Sequence, residues 1–203
     1  MALVPAVVAS CRSGGGRGGT STTTTRADPS GASGPAATLA PTPACADDND
    51  PTASQTEGPY FSPESPEKTS FLADVEKGVP MTLTGSVLTT ACQPVAQALL
   101  DVWHADQEGN YDNQGYRLRG HLFTDAQGRY RLETIVPGLY SGRTRHLHVK
   151  VQARRPGPVL TTQLYLPGEL ANDRDGTFRP ELLMEVREVG GRKDAAFDFV
   201  VEA

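Results

Sequence analysis

Leu118-Arg119-Gly120-His121-Leu122-Phe123-Thr124-Asp125-Ala126-Gln127-Gly128-Arg129-Tyr130-Arg131-Leu132-Glu133-Thr134-Ile135 is two short extended runs around a turn. Asp125-Ala126-Gln127-Gly128 supplies the turn chemistry, with a glycine available for positive φ, so the stretch predicts a β-hairpin. The same grammar extends in both directions. Upstream, Met81, Leu83, Gly85 and Val87 alternate with Thr82, Thr84 and Ser86, and 97–105 is a second, more apolar run. Downstream, 146–153, 162–166, 181–188 and 197–201 bring the count to about eight strands. No long stretch carries a 3.6-residue repeat, and no segment is repeated. Many short strands with Gly- and Pro-rich connections predict an all-β fold, a β-sandwich. Residues 167–180 read as a long loop or a short helical turn.

The chain has 203 residues and 37% hydrophobic content, a low value that its N-terminal quarter explains. Residues 12–50 are rich in Gly, Ser, Thr, Pro and Ala and offer too little apolar surface to offset the entropy of ordering them. They predict a disordered linker ahead of a folded domain at 51–203. Net charge is −5, of which residues 1–50 contribute −1 from three Arg and four Asp. With no Lys/Arg run, nucleic acid and anionic membranes are disfavoured as partners. No apolar run approaches the ~20 residues of a membrane span. Gly14 to Gly19 lacks the strand and helix that a phosphate loop requires. Val8-Ala9-Ser10-Cys11 has the form of a lipoprotein signal terminus, so residues 1–11 predict a signal remnant with Cys11 as a lipid anchor. Residues 1–7 are short for that role and carry no basic residue. The expected location is outside the cytoplasm, tethered to the outer face of a bacterial membrane or secreted. There Cys45 and Cys92 could pair; in a reducing compartment they would be two free thiols.

Chemistry concentrates in Pro137-Gly138-Leu139-Tyr140-Ser141-Gly142-Arg143-Thr144-Arg145-His146-Leu147-His148. In a strand, residues i and i+2 share a face, so His146 and His148 could grip one metal ion. Leu147, Val149 and Val151 then form the core face, and the histidine face needs a cover, for which 55–61, with its Gly-Pro bend and two aromatics, is the candidate. Tyr140 and Tyr111 are the further ligand candidates. Phenolate is a hard anionic donor with a free pKa of about 10, and a strongly Lewis-acidic ion such as ferric iron keeps it deprotonated. Spacing alone leaves the bland readings open: solvent-facing histidines, a turn aromatic at Tyr111, a corner tyrosine at Tyr140, exposed Arg143 and Arg145. His104 and His121 read as structural and Trp103 as core.

Several segments in order resemble the intradiol ring-cleavage dioxygenases. They include Thr56-Glu57-Gly58-Pro59-Tyr60, Asp101-Val102-Trp103-His104-Ala105-Asp106, Gly109-Asn110-Tyr111, Pro137-Gly138-Leu139-Tyr140, Gly142-Arg143-Thr144-Arg145-His146-Leu147-His148 and Thr161-Thr162-Gln163-Leu164-Tyr165. The likeness is to the small, exported, single-domain branch, since no helical N-terminal region is present. The resemblance implies a non-haem Fe(3+) site built from Tyr111, Tyr140, His146 and His148, with Tyr140 leaving the metal as substrate binds. It implies an electrostatic role for Arg143 and substrate contacts from Gly58, Pro59, Tyr60 and Gln163. The implied reaction inserts oxygen from O2 between the two hydroxyl-bearing carbons of a catechol-type diol, giving a cis,cis-muconate-type diacid. A carboxylated substrate would want a cation at the pocket mouth, and Arg145 is the candidate. The alternative is a non-catalytic β-sandwich binding module on the same scaffold.

Overall fold

The structure, a computed structural model, describes residues 50–202. The expected signal remnant, Cys11, Cys45 and all of the expected linker but Asp50 lie outside the described residues. Cys92 is disulfide-bonded; Cys45, its expected partner, is outside that range.

Among the described residues nine strands form two sheets: β1 (Pro80–Thr89), β2 (Leu99–Trp103), β3 (Arg119–Phe123), β4 (Arg129–Ile135), β5 (His146–Gln152), β6 (Leu160–Tyr165), β7 (Glu185–Val189), β8 (Arg192–Ala196) and β9 (Phe199–Val201). One sheet runs β4-β1-β8-β7 with β9 also on β1; the other runs β3-β2-β5-β6. Three single 3₁₀ turns are the only helices among the described residues. The all-β sandwich is as expected. Three details differ. The expected strand at 181–188 begins with a 3₁₀ turn, Pro180–Leu182; Leu183 makes one isolated bridge to Tyr165, and the ladder to the next strand starts at Glu185. β8 was not anticipated, because Arg192-Lys193-Asp194-Ala195-Ala196 buries little; Gly190-Gly191 was the available turn signal.

The third difference is the opening hairpin. Its turn forms, with Asp125 Oδ1 accepting from the N–H groups of Gln127 at 2.8 Å and Arg129 at 2.9 Å. Its strands, however, go to opposite sheets: β3 pairs with β2, and β4 with β1. The two ends of the turn are claimed by different partners. Thr124 donates its N–H to Ala98 O at 3.0 Å and accepts from Ala98 N through its hydroxyl at 2.8 Å. Gly128 O accepts from Val87 N at 2.8 Å. The turn is a corner of the sandwich.

The core lies between the sheets. Met81, Leu83, Leu100, Val102, Leu132, Leu147, Val149, Leu164 and Phe199 are essentially inaccessible, each such side chain stabilising by roughly 2 kcal/mol on burial. The apolar face of β5 is thus fixed inward, and His146 and His148 must point out of the opposite face. His104, just after β2, ties the sheets together. Its Nδ1 donates to Ala105 O at 2.7 Å and its Nε2 accepts from the Thr134 hydroxyl of β4 at 2.6 Å. Burial drives its pKa down to about 4. The unfolded chain therefore binds a proton that the fold refuses as pH falls from about 6.5 to 4, and stability drops across that window. From pH 7 to 4.5 His104 alone should cost about 2 kcal/mol, read as a lower urea midpoint for the metal-free protein. The buried site imidazoles add to it with the same sign, and His104→Gln should flatten the pH slope.

Candidate active site

Residues directly opposite across a sheet share a face. Trp103 faces His148, His148 faces Gln163, and Trp103 faces Arg119, so Arg119–Trp103–His148–Gln163 is one row across the outer side of the four-stranded sheet. His146 opposite Tyr165 is the next. The outward histidines are nonetheless buried, at 4% and 3% exposure, because the strap before β1 covers them. Lys150 of β5 pins that strap by pairing with Glu57 at 2.5 Å and lying 3.6 Å above the Phe61 ring. Arg119 donates to Tyr60 O, and Gln163 Nε2 to Thr56 O at 2.9 Å. Trp103 is buried as expected, but under the strap: it stacks flat on His148 at 4.9 Å and on its other neighbours meets Phe61 at 4.9 Å. A Cβ at Gly58 would come within 3.2 Å of His148 Cε1, so the strap presses directly on the imidazole. Pro59 is exposed at the turn beside it.

His146 Nδ1 faces only Thr144 O, at 2.6 Å, and so carries the proton, leaving Nε2 as a lone pair. That Nε2 sits 3.2 Å from His148 Nε2 and 3.2 Å from Tyr111 Oη. Tyr140 lies edge-on to Tyr111 with centroids 5.5 Å apart, and its Oη meets Tyr60 Oη at 2.5 Å. Tyr60 stacks on Tyr111 at 4.5 Å. The structure thus brings Tyr111, Tyr140, His146 and His148 together, although the tyrosines come from separate loops. Gly138 N donates to Asp106 O at 2.7 Å, and Asp106 Oδ1 accepts from Glu108 N and Asn110 N at 3.0 and 2.9 Å. At Gly109, with φ +88°, the backbone lies so close that a Cβ would stand 2.0 Å from Leu139 O.

Residues 56–203 match the Dioxygenase_C family model, described as dioxygenase. The chain belongs to the intradiol dioxygenase family. Chlorocatechol 1,2-dioxygenase of Pseudomonas sp. (strain P51) is 31% identical over 173 residues, covering 72% of this chain and 68% of that protein. The chain spans about two thirds of the length of such curated relatives. Among solved structures, the dioxygenase domain of a dioxygenase–carbohydrate-binding protein fusion from Streptomyces sp. SirexAA-E is 53% identical with a TM-score of 0.73, covering 76% of this chain and 99% of that chain. The 3-chlorocatechol 1,2-dioxygenase of Rhodococcus opacus 1CP is 31% identical with a TM-score of 0.68, covering 74% and 72% of the two chains.

In this intradiol dioxygenase the donor set fits a metal ion. Two nitrogens 3.2 Å apart can each lie about 2 Å from one cation. Burial pushes the imidazoles down, to about 4 for His146 and about 2 for His148, so both are neutral and carry free lone pairs. Burial raises the Tyr111 phenol, while Arg143 and Arg119 pull it back. Among the described residues no group of three or more His, Cys, Asp or Glu could hold a metal, so the candidate set is the mixed one of two imidazoles and two phenols.

Arg143, a charge the spacing alone left as exposed, is instead clamped: Nε donates to Asp175 Oδ2 at 2.8 Å and Nη2 to Gln163 Oε1 at 2.7 Å. Burial would raise the Asp175 carboxyl, but hydrogen bonds from Thr177, Arg143 and Thr144 N–H hold it at about 2. Asp175 and Arg119 were missed by sequence reasoning. Asp175 sits in the aperiodic 167–180 loop; Arg119 could have been found from parity, since it alternates with core-facing Gly120 and Leu122. His121 is structural, with Nδ1 at 2.6 Å from Ser65 O.

Proposed function

We propose that the chain is a non-haem Fe(III) intradiol dioxygenase that opens catechol-type rings between the hydroxyl-bearing carbons with O2, yielding cis,cis-muconate-type diacids. The observation that carries this is the convergence of two neutral imidazoles and two phenols, with His146 Nε2 3.2 Å from both His148 Nε2 and Tyr111 Oη. Tyr111, Tyr140, His146 and His148 would hold the metal. Ferric iron, when bound, would act as Lewis acid and template for a chelated catecholate. Tyr140 has a partner for its phenol, Tyr60 Oη at 2.5 Å. With that partner it would stay hydrogen-bonded while it accepted a proton from a bound catechol. Arg143, held on two sides by Asp175 and Gln163, offers a fixed positive charge beside negative charge developing on the substrate, with no reorganisation during reaction. The strap carrying Gly58, Pro59, Tyr60 and Phe61 excludes water from the Trp103–His148 floor. Export and attachment through Cys11 belong to the same proposal, supported by the disulfide at Cys92.

Iron-reconstituted protein should be coloured by phenolate-to-iron charge transfer and should consume O2 with catechol, forming a diacid. Chelation of the iron should abolish both. A colourless protein with no oxygen uptake would return the chain to the binding-module reading.

A further inference from the structure

A second hollow of about 510 Å³ opens beside the site, walled by Leu139, Gly142, Arg143, Glu169, Leu170 and Arg174 among others. It shares a partition with the metal side. The turn from Tyr140 to Arg143 is closed by Arg143 N–H donating to Tyr140 O at 2.7 Å, so one flank of this turn is a candidate ligand and the other lines the hollow. Arg143 belongs to both spaces, since it bonds Gln163 directly opposite His148. The volume is typical of a ligand pocket.

Two features of its lining are unusual. Leu139 and Leu170 stand 52% and 87% exposed, flanking the same opening. The charges around it are paired off except one. Glu169 is engaged by Arg145 at 3.2 Å, and Arg145 also donates to Pro137 O. Arg145, the cation the sequence offered for a carboxylated substrate, is therefore occupied. Arg143 is held by Asp175. Arg174 makes no ion pair and no side-chain hydrogen bond among the described residues. Apolar walls with one free guanidinium complement an apolar arm ending in an anion.

We infer that this hollow receives the ring substituent of an extended catechol, a short hydrocarbon arm carrying a carboxylate, with the arm against Leu139 and Leu170 and the carboxylate on Arg174. This rests on the reading of the neighbouring site as a catechol dioxygenase.

The test compares full-length protein and Arg174→Glu with three probes: catechol, 3-(3,4-dihydroxyphenyl)propanoate and the methyl ester of that acid. In the wild type the acid should exceed the ester in kcat/KM. In Arg174→Glu the acid-to-catechol ratio should fall by about fivefold or more, the scale of one exposed charge contact reversed in sign. Leu170→Ser should lower the ratios of acid and ester alike. Equilibrium dialysis of 3-phenylpropanoate with metal-free protein should show weakened binding in both variants. Ratios and dialysis both unmoved, with catechol still cleaved, would overturn this inference alone. If no catechol is cleaved at all, the dioxygenase reading fails, and the dialysis still decides whether the hollow binds an aryl carboxylate.

Discussion

His148→Ala is expected to leave a folded sandwich that no longer retains iron, with ring-cleaving turnover down more than about 100-fold, beyond the usual cost of altering an outer-shell partner. His148 Nε2 faces His146 Nε2 at 3.2 Å, so its loss removes one of the two imidazoles of the candidate ligand set. The fold should tolerate the loss. The imidazole points out of the sheet, away from the Leu147–Val149 face that packs the core. Its Nδ1 has no hydrogen-bond partner, so its removal relieves a buried unsatisfied nitrogen while forfeiting the stack on Trp103. These oppose each other at about 1 kcal/mol each. Metal content with the visible spectrum, oxygen uptake with catechol, and urea unfolding of the same preparation check the three claims. Retention of both iron and colour would remove His148 from the ligand set.

This separation of site from core explains what was legible beforehand. Period two along β5 decides which face is core, and the His-x-His pair follows from parity alone. Parity applied to β2 would also have placed Trp103 outward, since Leu100 and Val102 take the core positions; reading a large apolar residue as core by type missed this. The Asp125–Gly128 turn was legible because its hydrogen bonds are local. Its role as a corner was not, because that depends on Ala98 and Val87, which lie far off in sequence. The same holds for Arg143. Spacing exposes it, and only the approach of Asp175 from the 167–180 loop turns it into a fixed charge. Local chemistry was readable, and the pairing of distant segments was not.

Gly109→Ala should be the most damaging single methyl group in the molecule's site loops. Two costs combine there. The residue sits at φ +88°, where an L side chain is strained, and its Cβ would stand 2.0 Å from Leu139 O, a backbone atom that cannot rotate away. Together these should destabilise by about 3 kcal/mol. The collision must move either the loop carrying Tyr111 or the turn carrying Tyr140, the two segments whose phenols have to converge. A displacement near 1 Å there can cost about 100-fold in rate, so turnover and the charge-transfer band should suffer beyond the loss of stability. Gly190→Ala separates the causes: its φ is +57° but nothing lies within 4 Å of the added Cβ. That variant should lose only about 1 kcal/mol and keep its colour and rate. Equal urea midpoints for the two variants, or an unshifted band in Gly109→Ala, would mean that the loops are not held together by this contact. The convergence of Tyr111 and Tyr140 would then need another cause, with Asp106 the next side chain to change, since it caps Glu108 and Asn110 in the same loop.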